Sequence, residues 1–224
     1  MQNSLNMILI ALIVISSLFN WVAAWQWRPK LYYASKPFAM IFLIIFFFLQ
    51  GPLTSQKTPF LVGLVFSFLG DVLLIPRSMR WFIAGMCAFS ISQLCYTIGF
   101  NMSLPGVPVL VLSVFALALG GVVMHLAIDH FAKTVDINKK VLPFFKIYGV
   151  LVLAMAISAI TSIARPAWSD QAAVMAGVGG MLFFVSDVMI GLDKLDRRLP
   201  KYKFWIIISY HLAQFLIVGA LIIM

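Results

Sequence analysis

Long apolar runs separated by short basic loops dominate this sequence and limit what it can fold into. A helix needs about 20 mostly apolar residues to cross a hydrocarbon core of about 30 Å. Eight runs approach this length, at residues 4–24, 37–53, 58–75, 80–100, 107–128, 141–163, 170–191 and 203–224. We therefore expect an all-α, polytopic membrane protein: an eight-transmembrane-helix bundle that forms a single transmembrane domain over residues 1–224.

The composition leaves no room for a soluble domain beside these helices. Of the 224 residues, 63% are hydrophobic and 10% are charged, whereas soluble domains are about 45–50% apolar and about 25% charged. The net charge of +9 lies in short loops between apolar runs. Such charges orient a protein in the membrane and contact anionic headgroups. The expected partners are therefore membrane lipids and not nucleic acid.

The basic residues also predict the orientation of the bundle. The loops after helices 2, 4 and 6 carry only Lys57 and Arg165, whereas most other Lys and Arg residues follow odd-numbered helices. Because basic loops stay in the cytoplasm, both termini are predicted to be non-cytoplasmic. The first run has no Lys or Arg before it, so we expect an uncleaved first helix and not a signal peptide.

Two aspartates lie inside apolar helices in closely similar settings. Asp71 follows Gly70 in the third run, and Asp187 follows Ser186 in the seventh. A carboxylate at membrane depth is costly and needs a partner, a water-filled cavity or a function. Both helices run in the same direction in the predicted topology, and each aspartate lies four or five residues before the predicted cytoplasmic end. The pair therefore predicts one shared site that opens towards the cytoplasm, and weakly indicates a 4+4 helix repeat.

Small residues accompany both aspartates on one side of their helices, and small residues allow helices to approach closely in lipid. We therefore expect both carboxylates to face the inside of the bundle. The residues of these two stripes are Gly63, Ser67 and Gly70 beside Asp71, and Gly177, Gly180 and Gly191 beside Asp187.

The sequence lacks the motifs of several other chemistries. A serine-nucleophile hydrolase stays open, since Ser67 and Ser186 lie beside the aspartates, although no base can be assigned from spacing. The chain has no dinucleotide fingerprint, P-loop, GxSxG, HExxH or CxxC motif, so we expect no metal. His125 and Asp129, spaced i, i+4, form only a weak candidate for a cation site. A pair of carboxylates can instead divide acid–base work, one protonated as the acid and one ionised to stabilise positive charge or activate water. Glycoside hydrolysis uses such a pair, and vinyl ether hydrolysis passes through a similar oxocarbenium ion.

Two other classes of function stay open at this point. In a proton-coupled transporter, the intramembrane aspartates would relay protons. In a non-catalytic lipid-binding or scaffold protein, the aspartates would pair with Lys36 or Lys146.

Short motifs along nearly the whole chain resemble the YhhN family of membrane proteins, which includes the lysoplasmalogenases. The resemblance implies hydrolysis of the vinyl ether bond of a lysoplasmalogen to a fatty aldehyde and glycerophosphoethanolamine or glycerophosphocholine. It also implies an eight-helix bundle, no known cofactor, and here a bacterial inner (cytoplasmic) membrane. The matching residues are Lys36-Pro37, Gly70-Asp71, Gln93, Tyr96, Tyr148, Ser186-Asp187, Tyr210 and Ala213-Gln214.

The resemblance also implies roles for these residues. Asp71 and Asp187 are the expected catalytic acid and base, in either order. Asparagine at either position is expected to abolish turnover and to spare stability, because removing a buried charge relieves a desolvation cost. The expected substrate-binding residues are Lys36 at the start of helix 2 for the phosphate, Tyr148, Tyr210 and Gln214 for water or glycerol, and Gln93, Tyr96 and Ser186.

Two further expectations concern individual positions. The resemblance predicts His at position 93, where this chain has Gln93. The lipid chain is expected among aromatic residues deeper in the bundle, such as Phe66 and Phe89.

Overall fold

The computed structural model describes residues 2–76, 78–133, 141–194 and 200–224, and its regular elements are all helical. This confirms the predicted all-α class. A short 3-10 turn, Thr161–Ala164, follows the sixth helix. The eight α-helices are α1 (Gln2–Trp25), α2 (Pro29–Phe48), α3 (Lys57–Leu73), α4 (Met79–Phe100), α5 (Val107–Ala132), α6 (Leu142–Ile160), α7 (Asp170–Lys194) and α8 (Tyr202–Ile223).

Length and composition make this an integral membrane protein. Among the described residues, seven helices are long and apolar enough to cross a membrane. The remaining helix, α3, has 17 residues, which is at the short end of the range for a spanning helix, about 17–25 residues.

The start of α2 differs from the prediction. The helix was expected to begin at Lys36-Pro37, but it begins at Pro29 and contains Pro37. A proline in the first turn costs no hydrogen bond, because the first backbone N–H groups have no partner within the helix. Pro29 meets that condition and starts the helix. Lys36 consequently lies within α2, and it is only 8% exposed.

Contacts between helices form a closed circuit that runs through α1, α2, α3, α4, α6, α7 and α8 and returns to α1. The fifth helix, α5, lies outside this circuit and packs mainly against α6. None of its residues is fully buried, so most of its apolar surface faces lipid. The weak 4+4 repeat stays a prediction.

The core of the bundle contains packed aromatic rings, several of them close to the small residues of the third helix. Tyr210 packs edge-on against Phe89 and Phe183, with ring centroids 6.0 and 5.5 Å apart. Edge-to-face geometry at such distances is favourable for aromatic pairs. A Cβ atom added at Gly70 would overlap the Phe89 ring, so the small residue beside Asp71 is required by packing. Gly180 approaches α6 closely at Ala159 in the same way.

Burial confirms that both aspartates face inward. Asp71 is 1% exposed and Asp187 is 6% exposed. Each therefore needs protein partners or a ligand to offset the loss of solvation.

The orientation of the bundle is testable by reporter fusion. Because of the loop charge bias, we expect alkaline phosphatase fused after Met224 to be active, since this enzyme folds only outside the cytoplasm. A fusion truncated after Lys133, at the end of α5, is the matched control and should be inactive. The reverse pattern would contradict the predicted topology.

Candidate active site

Asp71 forms a buried ion pair with α2. Lys36 Nζ lies 2.9 Å from Asp71 Oδ1, and the two side chains are 11% and 2% exposed. Two buried charges are tolerated when they meet at close range. Within the described ranges, Asp71 Oδ2 and the Tyr210 hydroxyl have no hydrogen-bond partner, although the phenol lies beside the carboxylate. Both atoms can therefore interact with a ligand or water.

Asp187 has neutral neighbours. Gln93 Nε2 donates a hydrogen bond to Asp187 Oδ2 at 3.1 Å, and the Tyr148 phenol lies beside the same carboxylate. No salt bridge to Asp187 occurs in the part of the chain that the structure describes. Lys146, considered as a partner on sequence grounds, lies 2.6 Å from Asp129 instead. The two aspartates therefore have unlike electrostatic surroundings.

A hydrogen-bonded network joins α3, α4 and α8. The Tyr96 hydroxyl donates to Gln214 Oε1 at 2.7 Å, and Gln214 Nε2 donates to Ser67 Oγ at 3.0 Å. The Ser67 and Ser92 hydroxyls are 2.7 Å apart. All four side chains are fully buried, and a satisfied buried network fixes the positions of its members. Tyr96 and Gln214, both predicted to bind substrate, thus hold each other.

Ser186 contacts a neighbouring helix. Its hydroxyl donates to the backbone carbonyl of Ile206 at 3.1 Å, which ties α7 to α8. Its predicted role in binding substrate stays a prediction, and the observed contact is structural.

The aspartates occupy different positions relative to the ends of their helices. The third helix ends at Leu73, just beyond Asp71, whereas α7 continues for almost two turns beyond Asp187 to Lys194. The expectation of matching distances from the ends was wrong, because apolar composition does not mark where a helix stops.

Two apolar cavities meet at Asp187 and Tyr148. The larger, of about 160 Å³, lies between α5, α6 and α7. The smaller, of about 30 Å³, lies between α4, α6, α7 and the end of α3. The smaller cavity has the volume of one water molecule, and Asp187 and Tyr148 are the two polar side chains among its lining residues that could bind it. Asp71 lines neither of these two cavities, so the shared cavity stays a prediction.

The weak cation-site candidate contains a lysine. His125 Nε2 and the Lys146 ammonium lie 3.3 and 2.6 Å from the two oxygens of Asp129. Among the described residues, no group of three His, Cys, Asp or Glu side chains could hold a metal ion. The ammonium therefore neutralises Asp129.

Sequence reasoning missed two polar contacts near the site. Trp21 Nε1 donates to His211 Nδ1 at 3.1 Å and links α1 to α8. Ser92, which bonds Ser67, is the other unpredicted residue. The sequence offered one signal for Ser92: it is a polar residue next to Gln93 within an apolar helix.

Together these features define a class: a helical membrane protein with two buried carboxylates in unlike surroundings, one of which borders an apolar cleft. The chain matches the YhhN family over residues 31–221 and belongs to that family. The match includes both aspartates and every residue that the sequence predicts for the site. No solved structure matches the chain.

Curated relatives carry lysoplasmalogenase names. The chain is 30% identical over 163 residues to lysoplasmalogenase TMEM86A of Bos taurus, covering 72% of this chain and 64% of the relative. It is 27% identical over 167 residues to lysoplasmalogenase TMEM86A of Homo sapiens, covering 72% of this chain and 64% of the relative. It is 31% identical over 158 residues to human lysoplasmalogenase TMEM86B, covering 69% and 59%. The matches thus span less than two thirds of the length of these relatives.

Proposed function

We propose that this protein is an ether-bond hydrolase that cleaves the vinyl ether of a lysoplasmalogen in a bacterial inner membrane. The products would be a fatty aldehyde and glycerophosphoethanolamine or glycerophosphocholine. The names of the relatives support the substrate class. The observation that carries the proposal is the contrast between Asp71, paired with an ammonium, and Asp187, held by neutral donors.

This contrast favours one assignment of acid and anion. A carboxyl group among neutral partners is suited to carry a proton, whereas one that faces an ammonium is suited to stay ionised. Asp187 would therefore be the general acid. Asp71 would be the fixed negative charge that stabilises a cation, since its partner Lys36 holds it in place. The 2.9 Å pair favours this counter-ion role for Lys36 over binding of the substrate phosphate.

The reaction then follows in three steps. Asp187 gives its proton to carbon 2 of the vinyl ether, and positive charge develops on carbon 1 and the ether oxygen. Asp71 would stabilise that charge if the two aspartates share one site, as the sequence predicts. Water from the small cavity adds to carbon 1 and returns a proton to Asp187. The hemiacetal collapses as the bond between carbon 1 and the glycerol oxygen breaks, and that oxygen takes up the hydroxyl proton. Acid–base transfer of this kind typically contributes about 10²–10⁴-fold.

Two neighbours would position these groups. Gln93 would orient Asp187 through its amide hydrogen bond, and the Tyr148 phenol borders both cavities, where it would contact the water. The Tyr210 hydroxyl beside Asp71 would contact the glycerol oxygen.

Turnover by purified protein tests this function. We expect a lysoplasmalogen to be consumed with equimolar release of aldehyde. A saturated alkyl lysophospholipid with the same headgroup should be untouched, because it cannot form the oxocarbenium ion by protonation. Failure to consume the vinyl ether lipid, or equal consumption of both lipids, would refute the proposal.

A further inference from the structure

The larger cavity is a cleft with one polar end and apolar walls. Its walls include Met124 from α5, Phe145 from α6, and Phe184 and Val188 from α7. Asp187 and Tyr148 are its only residues with a side-chain oxygen or nitrogen among those that line it. Val188 is 39% exposed, so the cleft opens at the side of the bundle.

The cleft exists because α5 packs against α6 and stands away from α7. A Cβ atom at Gly149 of α6 would overlap the Met124 sulfur, which shows how closely the two helices approach there. Contacts between α5 and α7 are sparse. On α7, a Cβ atom at Gly191 would meet nothing within 4 Å. An open groove therefore runs along this side of the bundle, beside Asp187.

Charge at one end of the cleft suits an anionic headgroup. Phe131, near the end of α5, lines the cleft, and the exposed Lys133 follows it at the helix cap. Lys194 ends α7, about 10 Å along the helix axis from Asp187. The exposed Lys133 gives this end of the cleft a positive charge, and basic residues attract lipid phosphate groups.

We propose that this α5–α6–α7 cleft binds the hydrocarbon chain of a single-chain ether lipid that enters sideways from the bilayer. The chain lies along the apolar walls, the vinyl ether contacts Asp187 and Tyr148, and the phosphate points towards the basic end. This inference rests on the proposed function and adds the chain subsite to it. It replaces the expected position beside Phe89, whose ring instead packs tightly against Gly70 and Tyr210.

Gly191→Phe is the variant that fills the cleft. Its new side chain starts in open space. Gly191 also borders the smaller cavity beside Asp187, so the loss of photolabelling, and not a loss of rate alone, reports on the cleft. Gly121→Phe is the matched control: it is also a helical glycine, its nearest neighbour would be Val150 Cγ2 at 3.8 Å, and it lies outside this cleft. Both changes remove a residue that weakens helices.

The test uses a saturated alkyl lysophospholipid that carries a diazirine in its chain, bound to purified full-length protein in lipid nanodiscs. After photolysis, adducts are expected on cleft peptides, including those with Met124 and Phe184. Gly191→Phe should lower this labelling, and kcat/KM for a long-chain lysoplasmalogen, by about tenfold or more, as expected for a crowded hydrophobic pocket. Gly121→Phe should stay within about twofold of the parent.

Adducts elsewhere, no adducts, or labelling unchanged by Gly191→Phe would overturn the cleft as the chain site. Cleft adducts together with no hydrolysis of lysoplasmalogen by the parent protein would support the subsite and refute the proposed function. The two failures are therefore distinguishable.

Discussion

Asp187→Asn is expected to lower lysoplasmalogen turnover by about 10²–10⁴-fold, the usual contribution of general acid–base catalysis. Asparagine has the shape of aspartate, and its side-chain oxygen can still accept the hydrogen bond that Gln93 donates. It cannot give a proton to carbon. Because the partners of Asp187 are neutral, the substitution leaves no buried charge unpaired. Steady-state kinetics and thermal unfolding in detergent should therefore show lost rate and unchanged stability.

Asp170→Asn is the matched control for this variant. Asp170 is an exposed carboxylate in the first turn of the same helix, far from the site along α7. We expect its turnover to stay within about twofold of the parent, as for most surface substitutions. A folded Asp187→Asn protein with activity within a few-fold of the parent would rule out Asp187 as the acid.

Breaking the ion pair between Lys36 and Asp71 is expected to destabilise the protein by about 3–5 kcal/mol, because either single substitution leaves an uncompensated buried charge. Lys36→Met and Asp71→Asn are close in shape to the parent residues. The double variant removes both charges and should recover most of the lost stability. A double-mutant cycle measured by chemical unfolding in detergent gives the coupling energy directly.

Activity separates the structural and catalytic parts of this prediction. The double variant should be folded but inactive, because it lacks the anion opposite the developing cation. If both single variants keep the stability of the parent, the pair is solvated and the observed 2.9 Å contact contributes little. If the double variant is fully active, Asp71 is only a structural ion-pair partner, as in the scaffold alternative.

The sequence predicts the number of helices and the burial of both aspartates, because apolar length and intramembrane charge are strong local signals. It expects Asp71→Asn to spare stability, and the ion pair with Lys36 changes that expectation. The difference arises from α2. In the sequence Pro37 resembles a helix start, whereas the helix begins at Pro29 and Lys36 is buried within it, beside Asp71.

The sequence does not predict which helices pack against each other, because an apolar run carries no information about its neighbours in the bundle. The position of α5 outside the circuit illustrates this. The fifth helix has the highest mean hydropathy of the seven candidate spans. That high hydropathy is the sequence feature that indicates a helix facing lipid. The pairing of Tyr96 with Gln214, and the cleft beside Asp187, depend on tertiary packing alone.

Hydrolysis in D2O tests most directly whether an acid group delivers a proton to carbon 2 of the vinyl ether. The aldehyde is reduced at once with borohydride and analysed by mass spectrometry, with Asp187→Asn measured in parallel for the uncatalysed background. The account predicts that the parent protein forms aldehyde carrying one deuterium at carbon 2, at a rate far above that of the variant. Aldehyde without deuterium, or aldehyde formed equally fast by both proteins, would contradict it.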